Sequence, residues 1–332
     1  MPHALILRQA PTLYARRLPW PFMANKILEL FGYARDDHST IARTSRNDQT
    51  CPMLGGLCTK QIGSAENRIR SGVCSITDTN GLPVVICPIR LYADRYSLLS
   101  TVARLAFKMP KVTLVDGRKT AAAEAPESST LVAVFGKGWG GELKVPGRPV
   151  EGKKRVSGFF VDWILARLDK DRNLIEFAAL EVQTMDTIGS YRAERDAILS
   201  GTTHTGKSAG PNWENVNKRI LPQLIYKGHL LEREALCQSG LFFACPEAVY
   251  NKIIERLGSQ LAEYPMKNNS LTFIPVRLHA AVHPGTPRAI EALPPKTTTI
   301  QQVQIAFSSP TNLPEAGAYE KAIRTALNGK AH

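Results

Sequence analysis

The pattern of hydrophobic and polar positions is most telling between Val156 and Thr184, VSGFFVDWILARLDKDRNLIEFAALEVQT. Two runs rich in β-branched and aromatic residues flank the polar cluster Asp169 to Asn173, a pattern that predicts a β-hairpin. If the turn is centred between Asp171 and Arg172, Asp162 in one arm stands opposite Glu181 in the other. Directly opposed residues of an antiparallel pair have Cβ atoms roughly 4.5–5.5 Å apart, and like charges at that distance repel unless a proton or cation lies between them. Period-two alternation puts Gln183 on the same face as Glu181. An acid and an amide beside a second acid suit a hard divalent cation with oxygen ligands, such as magnesium. The plain alternative is two solvent-side residues of a half-exposed hairpin. Against it, Asp162 shares its face with Phe160 and Ile164, and Glu181 with Ile175 and Phe177, so each acid is expected within an apolar surface where an unpaired charge is costly.

Elsewhere the patterning is that of an α/β chain, with a mixed sheet of the α+β kind and helices between strands. The first 45 residues read as an arm with at most one helix, around Met23 to Tyr33. Leu91 to Lys108 predicts a helix on the spacing of Leu91, Leu98, Leu99, Val102 and Leu105, ended by Pro110. Leu131 to Phe135 reads as a short buried strand, Ser190 to Leu199 as a short helix, and Asn212 to Leu231 as an amphipathic helix kinked at Pro222. Gly240 to Ala244 is expected as a buried strand, followed by a helix that Pro246 opens and Leu257 ends. Leu271 to Leu278 and Thr299 to Phe307 read as strands and Glu315 to Leu327 as a last helix. The domains expected are an arm over residues 1–45, a cysteine-bearing unit over 46–92 and a main body over 93–332.

Composition changes this picture in two ways. At 43% hydrophobic and 21% charged, a chain of 332 residues has enough apolar matter for a sizeable core, and no apolar run reaches the roughly 18 residues that cross a bilayer. The N-terminus is broken by charges and prolines before a signal-like core develops, so the expected location is the cytoplasm and no membrane is expected as a partner. The formal charge of +13 favours a polyanion, with DNA or RNA the natural candidate.

Four of the six cysteines, Cys51, Cys58, Cys74 and Cys87, fall close together, without a Cys-x-x-Cys knuckle. In a reducing compartment such a cluster points to a metal site, and four thiolates suit zinc or iron. The intervening segment has few large apolar residues, so a bound ion would supply cohesion that a core otherwise gives. Cys237 and Cys245 read as core thiols. The glycine-rich GKGWGGE segment ends at Glu142, placed to join the two hairpin acids. Lys153, Lys154 and Arg155 precede the hairpin and are candidate phosphate contacts. GTTHTGKS, from Gly201 to Ser208, matches a P-loop pattern, but a charged helical segment precedes it and Pro211 stands where a helix should start, so it is rejected as a nucleotide site. Lys207 and His204 remain candidate phosphate contacts there.

Taken together, the cysteine cluster ending in CPIR, GWGGE, Asp162, the Glu181-Val182-Gln183 triplet and NWENVNKRILPQL resemble the NotI-like type II restriction endonucleases of the PD-(D/E)xK nuclease superfamily. The resemblance covers about Thr50 to Lys227. It implies a PD-(D/E)xK core with an N-terminal four-cysteine domain, magnesium held by Asp162, Glu181 and the Val182 carbonyl, Glu142 as an upstream acid, and Gln183 in place of the usual lysine. It further implies iron in the cysteine site, and sequence-specific cleavage of double-stranded DNA at a GC-rich palindrome by a homodimer, leaving 5′-phosphate and 3′-hydroxyl ends. A cognate methyltransferase would accompany it in the cell. Gln183 departs from the general motif, because an amide carries no positive charge and takes up no proton. Two other readings compete: a DNA-binding metal module with a non-catalytic nuclease fold, and a repair or recombination nuclease of the same superfamily.

Overall fold

Strand β1 (Ile27–Leu30) turns through Phe31 and Gly32 into β2 (Tyr33–Ala34). Both turn residues have positive φ, 50° and 86°, the mirror-image turn whose twist suits a tight hairpin. That turn explains why this stretch is strand where apolar spacing suggests a helix around Met23 to Tyr33. The computed structural model describes residues 26–145, 158–258, 261–281, 283–309 and 313–327. Helix α1 (Thr40–Asn47) follows, then β3 (Val73–Thr77) and β4 (Pro83–Val85), which complete a four-stranded sheet in the order β2-β1-β3-β4. Residues 27–34 thus share a sheet with the segment that carries Cys74.

Among the described residues the larger sheet has eight strands. Helix α2 (Ala93–Phe107) precedes it, as the apolar spacing predicts. Three consecutive left-handed residues, Asp94, Arg95 and Tyr96, interrupt its first turn. The Tyr96 ring lies 5.7 Å from Trp163 and 5.3 Å from Trp139. The strands are β5 (Val112–Asp116), β6 (Thr130–Gly136), β7 (Trp163–Leu168) and β8 (Leu174–Val182), then, after helices α3 (Arg192–Ser200) and α4 (Leu221–Leu231), β9 (Leu241–Pro246). Helix α5 (Glu247–Leu257) leads to β10 (Ser270–Leu278), with β11 (Ile290–Ala292) and β12 (Lys296–Thr299) both antiparallel to it. The path across the sheet is β11-β10-β9-β8-β7-β6-β5. Strands β6, β7 and β8 form an antiparallel meander, whereas β8, β9 and β10 run parallel and β5 runs parallel to β6. The architecture is a mixed α/β sheet, compatible with an α+β fold.

Alternation along the strands assigns the two faces. Trp163, Leu165, Ala178, Leu180, Phe242 and Ala244 pack with α2 residues such as Leu99 and Val102. Ile164, Phe177, Ala179, Phe243 and Phe273 face α4, α5 and helix α6 (Ile300–Ser308). Cys237 and Cys245 lie fully within this second core, as expected of core thiols.

Two readings of the pattern are corrected. Thr299 to Phe307, expected as a strand, is helix α6: the Thr299 hydroxyl accepts from the Gln302 N–H as an N-cap, and Ile300, Val303 and Phe307 recur at helical spacing. Strand β5 was not expected, because half-buried edge residues give weak alternation. The last helix, α7, is confined to Ala318–Leu327. Among the described residues no helix is long and apolar enough to cross a membrane.

Candidate functional site

The hairpin register brings the two acids together. Trp163 pairs with Leu180 and Arg167 with Glu176, the pairing expected for a turn centred between Asp171 and Arg172, until a bulge at Leu168 opens the turn over Asp169 to Asn173. Asp169 accepts from the Asn173 N–H and Arg172 adopts φ 68° in that turn. One step beyond the Trp163–Leu180 pair, Asp162 lies beside the end of β8. Its Oδ2 accepts the Val182 backbone N–H at 2.9 Å, which fixes the carboxylate against the neighbouring strand.

Glu181 is buried, and its Oε2 has no hydrogen-bond partner. Burial, then the nearby Asp162 charge, raise its pKa from an ordinary 4.5 to about 7, although Lys227 pulls the other way. The Asp162 pKa is also raised, first by burial, with Glu142 adding to the rise and Val182 N–H, Lys227 and Lys137 opposing it. Glu142 is therefore within electrostatic reach of Asp162, while lying exposed at the end of the glycine-rich loop. That loop is shaped by its glycines: Gly140 has φ 77°, and a Cβ there would stand 1.7 Å from the Val134 carbonyl oxygen. On the same side of the sheet, Phe135, Phe159, Phe160, Ile164 and Phe177 line an apolar cavity of about 500 Å³. At this corner Glu181 is buried and Asp162 half-buried.

Lysine 227 completes the arrangement. Its Nζ, on α4, donates to Glu181 Oε1 and lies 5.3 Å from the centre of the Phe160 ring. The apolar spacing of α4 and of the π-helical turn Val216–Ile220 before it held the signal, since Val216, Ile220, Leu224 and Leu231 form one stripe and Lys227 falls in it where an apolar residue would be routine. Gln183, by contrast, is half-buried, and its side-chain amide donates to the Thr184 carbonyl at 3.1 Å rather than to either acid.

The four clustered cysteines all line one small cavity of about 10 Å³, together with Phe31, Lys60 and Gly72. The Cys51 sulfur is faced by the Met53 and Leu54 backbone N–H groups, and the Cys87 sulfur by those of Ile89 and Arg90. Burial raises the pKa of Cys51, Cys74 and Cys87, so their thiols stay protonated at neutral pH unless a cation compensates. Among the described residues, however, no group of three or more His, Cys, Asp or Glu side chains is drawn together as a formed metal site. The buried pair Arg90–Glu29, 3.3 Å apart, ties the end of this region to β1, and Glu29 also accepts from Ser75.

Of the candidate phosphate contacts, Lys153, Lys154 and Arg155 lie outside the described residues. Lys207 is exposed on the loop after α3 and makes no hydrogen bond or ion pair with the acids. His204 is half-buried on the same loop. The chain there runs into the two-residue ladder Thr187–Ile188 with Gly210–Pro211, not into a helix, in keeping with rejection of the P-loop. No family model and no curated protein matches the chain.

Proposed function

We propose that this chain is a magnesium-dependent endodeoxyribonuclease of the type II restriction class, built on the PD-(D/E)xK core that its sequence resembles. The observation that carries the reading is the meeting of Asp162 and Glu181 from adjacent antiparallel strands, with one oxygen of Glu181 buried and without a partner. The topology supports it: a helix precedes an antiparallel meander, and the next central strand is parallel to the last strand of the meander.

The residues fit magnesium, an ion that takes one or two carboxylates and keeps much of its water, so a set of three close protein ligands is not required. Asp162, Glu181 and the Val182 carbonyl would hold it, with Glu142 as the upstream acid and Gln183 beside them. When bound, the ion lowers the pKa of a water and offsets charge that develops on the phosphoryl oxygens. Around it, Val182 N–H keeps Asp162 oriented, and the burial of Glu181 limits solvent screening. In the reaction a water oxygen bonds to phosphorus as the bond from phosphorus to the 3′ oxygen breaks, leaving 5′-phosphate and 3′-hydroxyl ends.

The charge of +13 is consistent with double-stranded DNA as partner, with Lys153, Lys154, Arg155 and Lys207 as phosphate contacts. One site of this kind cuts one strand, so double-strand cleavage at a GC-rich palindrome calls for a homodimer. Cys51, Cys58, Cys74 and Cys87 would hold structural iron, with zinc the alternative. A cytoplasmic enzyme of this class works beside a cognate methyltransferase. The test is digestion of GC-rich phage DNA with magnesium: the proposal expects discrete fragments from the wild type and none from Asp162→Ala or Glu181→Ala. A smear points instead to a repair or recombination nuclease, and cleavage that survives both substitutions overturns the site.

A further inference from the structure

Resting on that reading, we propose that Lys227 is a catalytic residue: α4 supplies the positive group that Gln183, just after β8, does not, and before metal binding its ammonium occupies the divalent cation's place on Glu181. Three observations meet at this point. The Lys227 ammonium is bound to Glu181 Oε1, and Lys227 is mostly covered rather than spread into solvent. Its ammonium also lies over the ring of Phe160, the residue two before Asp162, 5.3 Å from the ring centre, so an aromatic face and a carboxylate hold the charge at this corner. The helix that carries it is held tightly, because a Cβ at the adjacent Gly228 would stand 2.1 Å from Ile300 Cδ1 on α6.

An ammonium has three donors, and among the described residues Glu181 accepts the single hydrogen bond that Lys227 makes. Two donors are left that no described residue takes up. With the carboxylates occupied by a divalent cation, the flexible stem of Lys227 would let its ammonium turn toward a non-bridging phosphoryl oxygen. There it stays protonated and offsets negative charge while water adds to phosphorus and the 3′ oxygen leaves, the water's proton passing to solvent and a second solvent proton going to the 3′ oxygen. Gln183 cannot do this, since its amide is neutral and turned toward the Thr184 carbonyl.

The test uses the full chain and two substitutions, Lys227→Met, which keeps bulk, and Lys227→Gln, which keeps polarity. Mn²⁺ binding without DNA is measured by calorimetry, and cleavage is measured under single turnover at saturating Mn²⁺. We expect Mn²⁺ to bind about tenfold more tightly to either variant, because a competing positive charge is gone. Cleavage should fall by about 100-fold. A merely structural ion pair predicts wild-type cleavage once metal restores the fold, and that result would overturn the catalytic role. Unchanged or weaker Mn²⁺ binding would overturn the exchange of one cation for the other. Wild-type protein that binds Mn²⁺ yet cuts no DNA would instead fail the nuclease reading, and the binding arm would still decide whether Lys227 competes with metal.

Discussion

Replacing Asp162 with Asn should make the magnesium-free protein more stable while abolishing cleavage. Glu181 carries a pKa of about 7 in the fold against an ordinary 4.5. An acid that binds its proton more tightly when folded favours folding at low pH, and stability falls as pH rises from about 4.5 through 7, then levels off. Over that window the loss is about 3 kcal/mol, at roughly 1.4 kcal/mol per pKa unit. Burial accounts for the largest share and the Asp162 charge for the next, so neutralising Asp162 should recover only part of it, about 1–2 kcal/mol at pH 8. Asn still offers an oxygen to the Val182 N–H, which keeps the local geometry. Urea denaturation in magnesium-free buffer at pH 8 and pH 5.5 measures the effect. The variant should gain at pH 8, the gain should shrink at pH 5.5, and added magnesium should stabilise the wild type alone. An Asn variant equal to or weaker than wild type at pH 8 would show that the two carboxylates do not oppose each other in the fold.

Arg90→Ala should destabilise by about 3–5 kcal/mol in urea denaturation, because it removes the cationic partner of the fully buried Glu29 side chain. Gly140→Ala forces a side chain toward the Val134 carbonyl at positive φ and should cost about 1–3 kcal/mol, with lower cleavage because Glu142 follows on the same loop. Elemental analysis of purified protein should find about one iron or zinc per chain, lost with Cys74→Ser, and its removal by a strong chelator should lower the thermal midpoint.

The hairpin was legible because two runs rich in β-branched and aromatic residues flank one polar turn, so the pairing of Trp163 with Leu180 follows from counting. Apolar spacing likewise foretold α2 and α4, the latter preceded by a π-helical turn over Val216–Ile220, and Pro246 marked the start of α5. Where the pattern misled, a local device outweighed it. Phe31 and Gly32 make a turn that converts an apolar stretch into β1 and β2, and the Thr299 cap starts a helix in a run whose threonines and isoleucines suit a strand equally well. Lys227 stayed hidden for a different reason. It lies far from Glu181 in sequence and enters the site from a helix packed over the sheet, and such a long-range approach leaves only one trace, a lysine within an apolar stripe.

The most direct test of the central claim is anomalous diffraction from crystals of the wild type soaked in Mn²⁺. The account predicts one strong peak bridged by the carboxylates of Asp162 and Glu181, at about 2.0–2.3 Å from their oxygens, with Lys227 displaced from Glu181. Crystals that take up Mn²⁺ elsewhere, or show Lys227 still on Glu181 with no peak between the two acids, would contradict it.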